Sequence, residues 1–183
     1  MGTDELYIDE TRDWVERVVI GLKLCPFAPA PALKGLIRYA VSDAETPEVL
    51  LQDLATELQR LAGAPPEEIE TTLLIHPRVL ADFHEFNDFL ELADELLQLL
   101  GLEGEIQIAS FHPHYQFAEA EPDDIGNETN RSPHPTLHLL REESIARAVD
   151  SFGDTDSISA ANLATLEKLG PERLQALKRG GLE

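Results

Sequence analysis

The fold is decided by the stretch TTLLIHPRVLADFHEFNDFLELADELLQLLGLEGEIQIASF, residues 71–111. Residues 71–75 form a short apolar run, bounded by His-Pro, of the kind that forms a buried strand. Residues 79–100 carry apolar side chains on one helical face, and Gly101 ends that helix. Apolar and polar residues alternate over 105–111 well enough to predict a further strand. The stretch is therefore predicted to be strand, helix, strand.

Strands and helices are also predicted to alternate toward the amino terminus. Apolar spacing predicts a helix over 11–24 that begins at Thr11, a strand over 36–41, and a helix from Thr46-Pro47 to about residue 61. The prolines of CPFAPAPA, residues 25–32, predict an extended connector. The order α-β-α-β-α-β is expected when helices cover a sheet. The predicted fold class is α/β or α+β, with a small sheet of three or four strands covered by helices.

Two interpretations fit residues 135–152. Either a helix begins at Pro135-Thr136 and runs to Phe152, or TLHLL at 136–140 is a fourth strand. Helical patterns over 157–169 and 171–178 predict a C-terminal helical tail. With 183 residues and 43% hydrophobic content, the chain can bury one full core, so a single domain over residues 1–183 is expected.

The chain is strongly acidic, with 35 Asp and Glu residues against 14 Lys and Arg and a formal charge of −21. Such a field repels phosphate backbones, which excludes nucleic acid and anionic membrane surfaces as partners. No apolar run is long enough to span a membrane, and the start of the chain lacks the pattern of a signal peptide. The single cysteine, Cys25, excludes an internal disulfide framework and fits a reducing compartment. A cytoplasmic location is expected, while the oligomeric state is not specified.

Residue types that take part in binding and catalysis are concentrated in the segment 111–142, which holds four of the six histidines. A long, polar, proline-rich connection at the carboxyl end of a strand is a common place for binding and catalysis. We take this segment as the functional loop. The candidate catalytic residues are Cys25, His112 and His138, and the candidate substrate-binding residues are Tyr115, Asn127, Asn130, Arg131, Ser132, Arg141 and Glu142.

Arg131 and Arg141 indicate the kind of ligand. Guanidinium groups suit carboxylate or phosphate, and both arginines fall beside histidines in a chain with few cations. If a helix begins at Pro135, His138 and Arg141 share a face at i and i+3. An anionic small molecule is therefore the expected partner. In the alternative, the polar side chains form turn hydrogen bonds, and Arg141 makes a surface pair with a neighbouring glutamate.

Two residues outside the loop have competing interpretations. Cys25 is either a small buried hydrophobe or a nucleophile whose thiol reaches the histidines. His76, which follows the second predicted strand, is another candidate at the same sheet edge, although a structural role is favoured for it.

Several motifs together resemble the DUF1415 proteins, an uncharacterised family found chiefly in bacteria. They are TRDWVERVVIGLKLCPFA at 11–28, TTLLIHP at 71–77, FNDFL at 86–90, GEIQIASFHPHYQF at 104–117 and DDIGNETNRSPHPTLHLLRE at 123–142. The resemblance implies no reaction or cofactor. It does imply that His114 and His134 stand at permissive positions, which leaves His112 and His138 as the better pair.

The sequence is compatible with three functions. The first is a cytosolic small-molecule enzyme that uses His112 or His138 for proton transfer and binds an anionic substrate with Arg131 and Arg141. The second is a metal-binding protein, in which His112 and His138 are joined by Asp123, Asp124 or Glu142. The third is a non-catalytic interaction module with an exposed apolar patch around Phe111, Tyr115 and Phe117. The residues specify no cofactor.

Overall fold

A computed structural model describes residues 2–153 and 155–180, without the side chain of residue 155. Its elements are α1 (Thr3–Trp14), which continues as a π-helix (Val15–Ile20), α2 (Pro29–Leu33), β1 (Ile37–Val41), α3 (Pro47–Gly63), β2 (Thr71–Ile75), α4 (Phe83–Leu99), β3 (Ile106–Phe111), a 3-10 helix (Ile125–Asn130), β4 (Thr136–Arg141), α5 (Glu142–Phe152), α6 (Thr155–Leu169) and α7 (Pro171–Lys178). None of the described helices is both long and apolar enough to cross a membrane.

The four strands form one mixed sheet in the order β1-β2-β4-β3. β1 and β2 are parallel, while β4 lies between β2 and β3 and is antiparallel to both. β1, β2 and β3 therefore run in one direction, and their carboxyl ends meet at one edge of the sheet. The fold class is α+β, as the alternation of elements predicted.

Helices cover both faces of the sheet. On one face, the leucines of α3 and the phenylalanines of α4 pack against Leu74, Leu137 and Leu139. On the other face, Trp14 and Val18 pack with Leu73 and with residues of α6 and α7. Side chains on a strand alternate between the faces, so each strand-end residue is directed toward one helical layer.

The amino-terminal predictions need two corrections. The first helix begins at Thr3, because Glu5 accepts a hydrogen bond from the Gly2 amide and completes the amino-terminal cap, whereas Thr11 is buried within the helix. The proline segment was predicted to be extended, but Pro29–Leu33 forms a short helix. Proline is tolerated in a first helical turn, since its φ is preset and its missing N–H has no helical partner there.

Residues 136–141 form a strand, so the helix that was considered from Pro135 is wrong. His138 and Arg141 are three residues apart on a strand and lie on opposite faces, because side chains alternate. The reversed direction of β4 places Arg141 at the edge where β2 and β3 begin. There its guanidinium donates hydrogen bonds to the Leu61, Ala64 and Ile69 carbonyls, at 2.8, 2.7 and 2.8 Å.

Replacing Arg141 with alanine is expected to lower the free energy of unfolding by about 2 to 3 kcal/mol. The substitution leaves partly buried carbonyls at the carboxyl end of α3 without this donor and removes a cation from the negative end of that helix. Urea denaturation measures the change. Arg141→Lys keeps the charge but not the planar fork, so its loss should be intermediate. A loss below about 0.5 kcal/mol for Arg141→Ala would show that these bonds are dispensable.

Candidate functional site

A cleft opens at the carboxyl edge of the sheet, where β2 and β3 end. It has a volume of about 640 Å³ and lies between the start of α4, the segment after β3 and α7. This edge is where α/β sheets commonly bind ligands. The lining residues are Ala81, Asp82, Phe83, His84, Pro113, His114, Gln116, Pro122, Glu128, Arg131, Gln175 and Lys178. We call residues 79–84 the α4 wall and residues 113–117 the β3 wall.

His112 lies behind the cleft and bonds to both walls. Its Nε2 is 3.1 Å from the carbonyl oxygen of Leu80, and its Nδ1 accepts a hydrogen bond of 3.0 Å from the amide of His114. A carbonyl only accepts, so the proton resides on Nε2 and the ring is neutral. The ring is buried against Phe83 and Phe86, and burial lowers its pKa. Both nitrogens of the predicted catalytic histidine are therefore already bonded.

His76 supports the α4 wall from the end of β2. Its Nδ1 donates to the Val79 carbonyl at 3.1 Å, and its ring stacks on Phe86. Nε2 is therefore a buried acceptor, and it has no partner among the described residues. Burial lowers the pKa of His76 to about 4. The next residue after Val79, Leu80, has a left-handed φ of 60°, so the two histidines bind consecutive carbonyls of a strained turn.

The far side of the cleft is a cluster of three charges. The Glu128 carboxylate accepts from Arg131 at 2.9 Å and from the Lys178 ammonium at 2.5 Å. Burial alone would raise the pKa of Glu128, but its hydrogen bonds to Lys178 and Arg131 and their charges lower it. Arg131 also donates to the carbonyls of Tyr115 and Pro122. The cluster carries one excess positive charge.

The predicted binding residues Asn127, Asn130 and Ser132 stabilise the loop backbone. Asn127 accepts from the Phe117 amide and donates to the Glu121 carbonyl. Asn130 donates to the Ser110 carbonyl, and the Ser132 hydroxyl donates to the carbonyl of His134. These contacts match the alternative in which polar side chains form turn hydrogen bonds.

The imidazoles that line the cleft are His84 and His114. His84 lies in the first turn of α4, two residues after the cap Asp82, and His114 projects from the β3 wall. Both side chains are exposed, and neither ring makes a hydrogen bond within the described part of the chain. His84 was not among the residues predicted from the sequence, and the family resemblance implied a permissive position for His114. Their place in the sequence could have identified them, because His84 and His114 follow the strands β2 and β3, which both end at this edge.

The other predicted residues lie elsewhere. His138 is in the middle of β4 on the face of Leu73, where its Nε2 is 2.8 Å from the Thr71 hydroxyl, and burial lowers its pKa to about 4. Glu142 begins α5 at the opposite edge, near Arg141. Along a strand of this length the two edges are about 17 Å apart. The expected convergence of His112, His138, Arg131 and Arg141 is therefore not found.

Cys25 and Tyr115 have different surroundings. Cys25 is partly buried and does not line the cleft, and burial raises the pKa of its thiol. The Tyr115 ring packs between Phe83 and Phe117, and of the three aromatic residues suggested for an exposed patch, Phe117 is exposed at 41%. Phe111 packs edge-on against Trp14.

A metal centre from His112 and His138 does not match this geometry. His112 contacts α4 on one face of the sheet, whereas His138 lies on the other. Within residues 2–153 and 155–180, no group of three or more His, Cys, Asp or Glu side chains is placed to hold a metal ion.

Together, the sheet and its cleft define an α+β protein with a polar cavity at the carboxyl ends of its parallel-directed strands. The chain belongs to the DUF1415 family: the family described as "Protein of unknown function (DUF1415)" matches residues 6–176. Comparison with curated proteins and with solved structures gave no match.

Acidification from about pH 7.5 to about pH 5 is expected to reduce the free energy of unfolding by about 2 kcal/mol for each of His76 and His138. Burial lowers both pKa values to about 4, whereas unfolded imidazoles titrate near 6.5. The unfolded chain therefore binds protons that the folded chain does not. This stability is fully present above the unfolded pKa and is lost as pH falls toward the folded one. Urea denaturation across this range measures the effect.

A substitution at His138 tests this prediction. His138→Gln replaces a donor to Thr71 that titrates with one that does not, and it should reduce the loss of stability on acidification by about 2 kcal/mol. Equal slopes for wild type and His138→Gln would contradict the assignment.

Proposed function

We propose that this protein is a cytosolic small-molecule enzyme whose anionic substrate binds in the cleft. The supporting observation is charge: the cleft carries two cations and two carboxylates in a chain of net charge −21. Glu128 is bonded to both cations, and Asp82 accepts from two amides at the positive end of α4. The formal charges of the cleft therefore cancel, with the one excess positive charge of Arg131, Lys178 and Glu128 on one side and Asp82 on the other. An anion is proposed to bind on the positive side.

His84 and His114 supply the acid–base chemistry in this proposal. Imidazole is the usual group for proton transfer near neutral pH. Both rings are exposed in the cleft and make no hydrogen bond to any residue that the structure describes, in contrast to His112 and His138, whose rings are hydrogen-bonded within the fold. In this proposal, His84 and His114 take the proton-transfer role that was predicted for His112 or His138. Lys178 takes the substrate-binding role that was predicted for Arg141.

Inorganic phosphate is expected to bind in the cleft and to shift the NMR ring signals of His84 and His114. Lys178→Ala should weaken this binding roughly fivefold, which corresponds to about 1 kcal/mol for the loss of one ionic contact. Two-dimensional carbon–proton spectra recorded during a phosphate titration give both the affinity and the location. The ring signals of His134 and His138, which lie outside the cleft, should not move.

The matched control is Lys168→Ala, which removes an exposed lysine from α6 and should leave the affinity unchanged. Absence of shifts at His84 and His114 at tens of millimolar phosphate would overturn the anion site. Compounds that displace phosphate become substrate candidates. With such a compound, His84→Gln and His114→Gln should retain binding and lose turnover, and full turnover in both variants would overturn the acid–base roles.

A further inference from the structure

We propose that His112 is a positioning residue that holds the two walls of the cleft at a fixed separation, and that protonation of His112 releases the β3 wall. The proposal concerns a residue behind the cleft rather than one that touches ligand. Its effect on ligand rests on the proposed function, whereas the hydrogen bonds themselves do not. The geometry that supports it is the pair of bonds made by one buried ring.

The first bond fixes the α4 wall. The Nε2–H group of His112 donates to the carbonyl of Leu80, which has an unfavourable left-handed backbone. Two residues later Asp82 caps α4, and His84 follows in its first turn. The orientation of His84 therefore depends on a turn that is held by His112 from one side and by His76 from the other.

The second bond fixes the β3 wall. The amide of His114 donates to Nδ1 of His112, and the Tyr115 amide donates to the His112 carbonyl. The two walls also meet through Phe83, whose ring contacts both His112 and Tyr115. The His112 imidazole therefore links the wall that carries His84 to the wall that carries His114 through two direct hydrogen bonds.

Protonation changes only one of these two bonds. A protonated His112 still donates from Nε2, but Nδ1 acquires a hydrogen that points at the His114 amide hydrogen. Two donors then oppose each other, and the β3 wall is freed while the α4 wall is retained. The titratable groups that face His112 are Asp82, which favours protonation, and His76 and His114, which disfavour it when charged.

The test begins with the tautomer and uses the intact protein without ligand. Nitrogen NMR of the ring is expected to show His112 as the neutral Nε2–H form at neutral pH. On acidification, the amide proton of His114 should move upfield in step with the His112 ring. An Nδ1–H tautomer, or a His114 amide that ignores the His112 titration, would overturn the proposal.

Variants separate the two bonds. His112→Phe keeps an aromatic ring and loses both bonds, His112→Asn can keep the acceptor for the His114 amide, and His112→Gln can keep the donor to Leu80. In wild type, phosphate should move the His84 and His114 rings along one binding curve. In His112→Phe the phosphate titration curves of the His84 and His114 rings should separate, and phosphate binding should weaken roughly fivefold or more. His112→Asn should restore the chemical shift of the His114 amide proton.

The two proposals fail in different ways. If wild type shows no phosphate response, the anion site is wrong, yet the tautomer and the His114 amide still decide the role of His112. If wild type binds phosphate and His112→Phe binds it equally well along one shared curve, the positioning role is wrong and the anion site stands.

Discussion

The insertion of β4 between β2 and β3 is the constraint on which the rest of the structure depends. Its backbone completes ladders on both sides, and Leu137 and Leu139 are fully buried beneath α3 and α4. Because β4 is antiparallel to both neighbours, β2 and β3 remain parallel in direction although they do not pair. Their carboxyl ends, and the histidines that follow them, consequently meet at one edge.

The sheet topology does not require the long polar loop. Because β3 and β4 are antiparallel neighbours, and Phe111 pairs with Thr136, a two-residue turn could join them. The chain instead connects them over residues 112–135. Its backbone amides and carbonyls need partners within that irregular path. Asn127, Asn130 and Arg131 supply them, so a polar composition typical of an active site serves here largely to fold the loop.

The strands and most helices were predictable, since residues 71–111 have unambiguous periods and Thr46 and Gly101 mark helix ends. The edge that carries the cleft was also predictable. The residues that line the cleft were not predictable, because TLHLL fits both a helix and a strand. In a helix His138 and Arg141 would share a face, whereas in a strand they lie on opposite faces. Lys178 reaches Glu128 across 50 residues of sequence, and no local pattern indicates such a contact.

If the proposed anion site exists, the distribution of cations is more compatible with a small ligand than with a polyanion. At long range the acidic chain repels anions, but at physiological salt this field is screened beyond about 8 Å. Arg38 is bonded to Glu57, Arg141 is bonded to backbone carbonyls, and neither lines the cleft. Arg131 and Lys178 are also bonded, to Glu128, but they line the cleft and together carry one more charge than Glu128 offsets. A polyanion would extend beyond that cluster into repulsive surface, whereas a ligand with one carboxylate or phosphate would place its whole charge beside Lys178 and its uncharged part between His84 and His114.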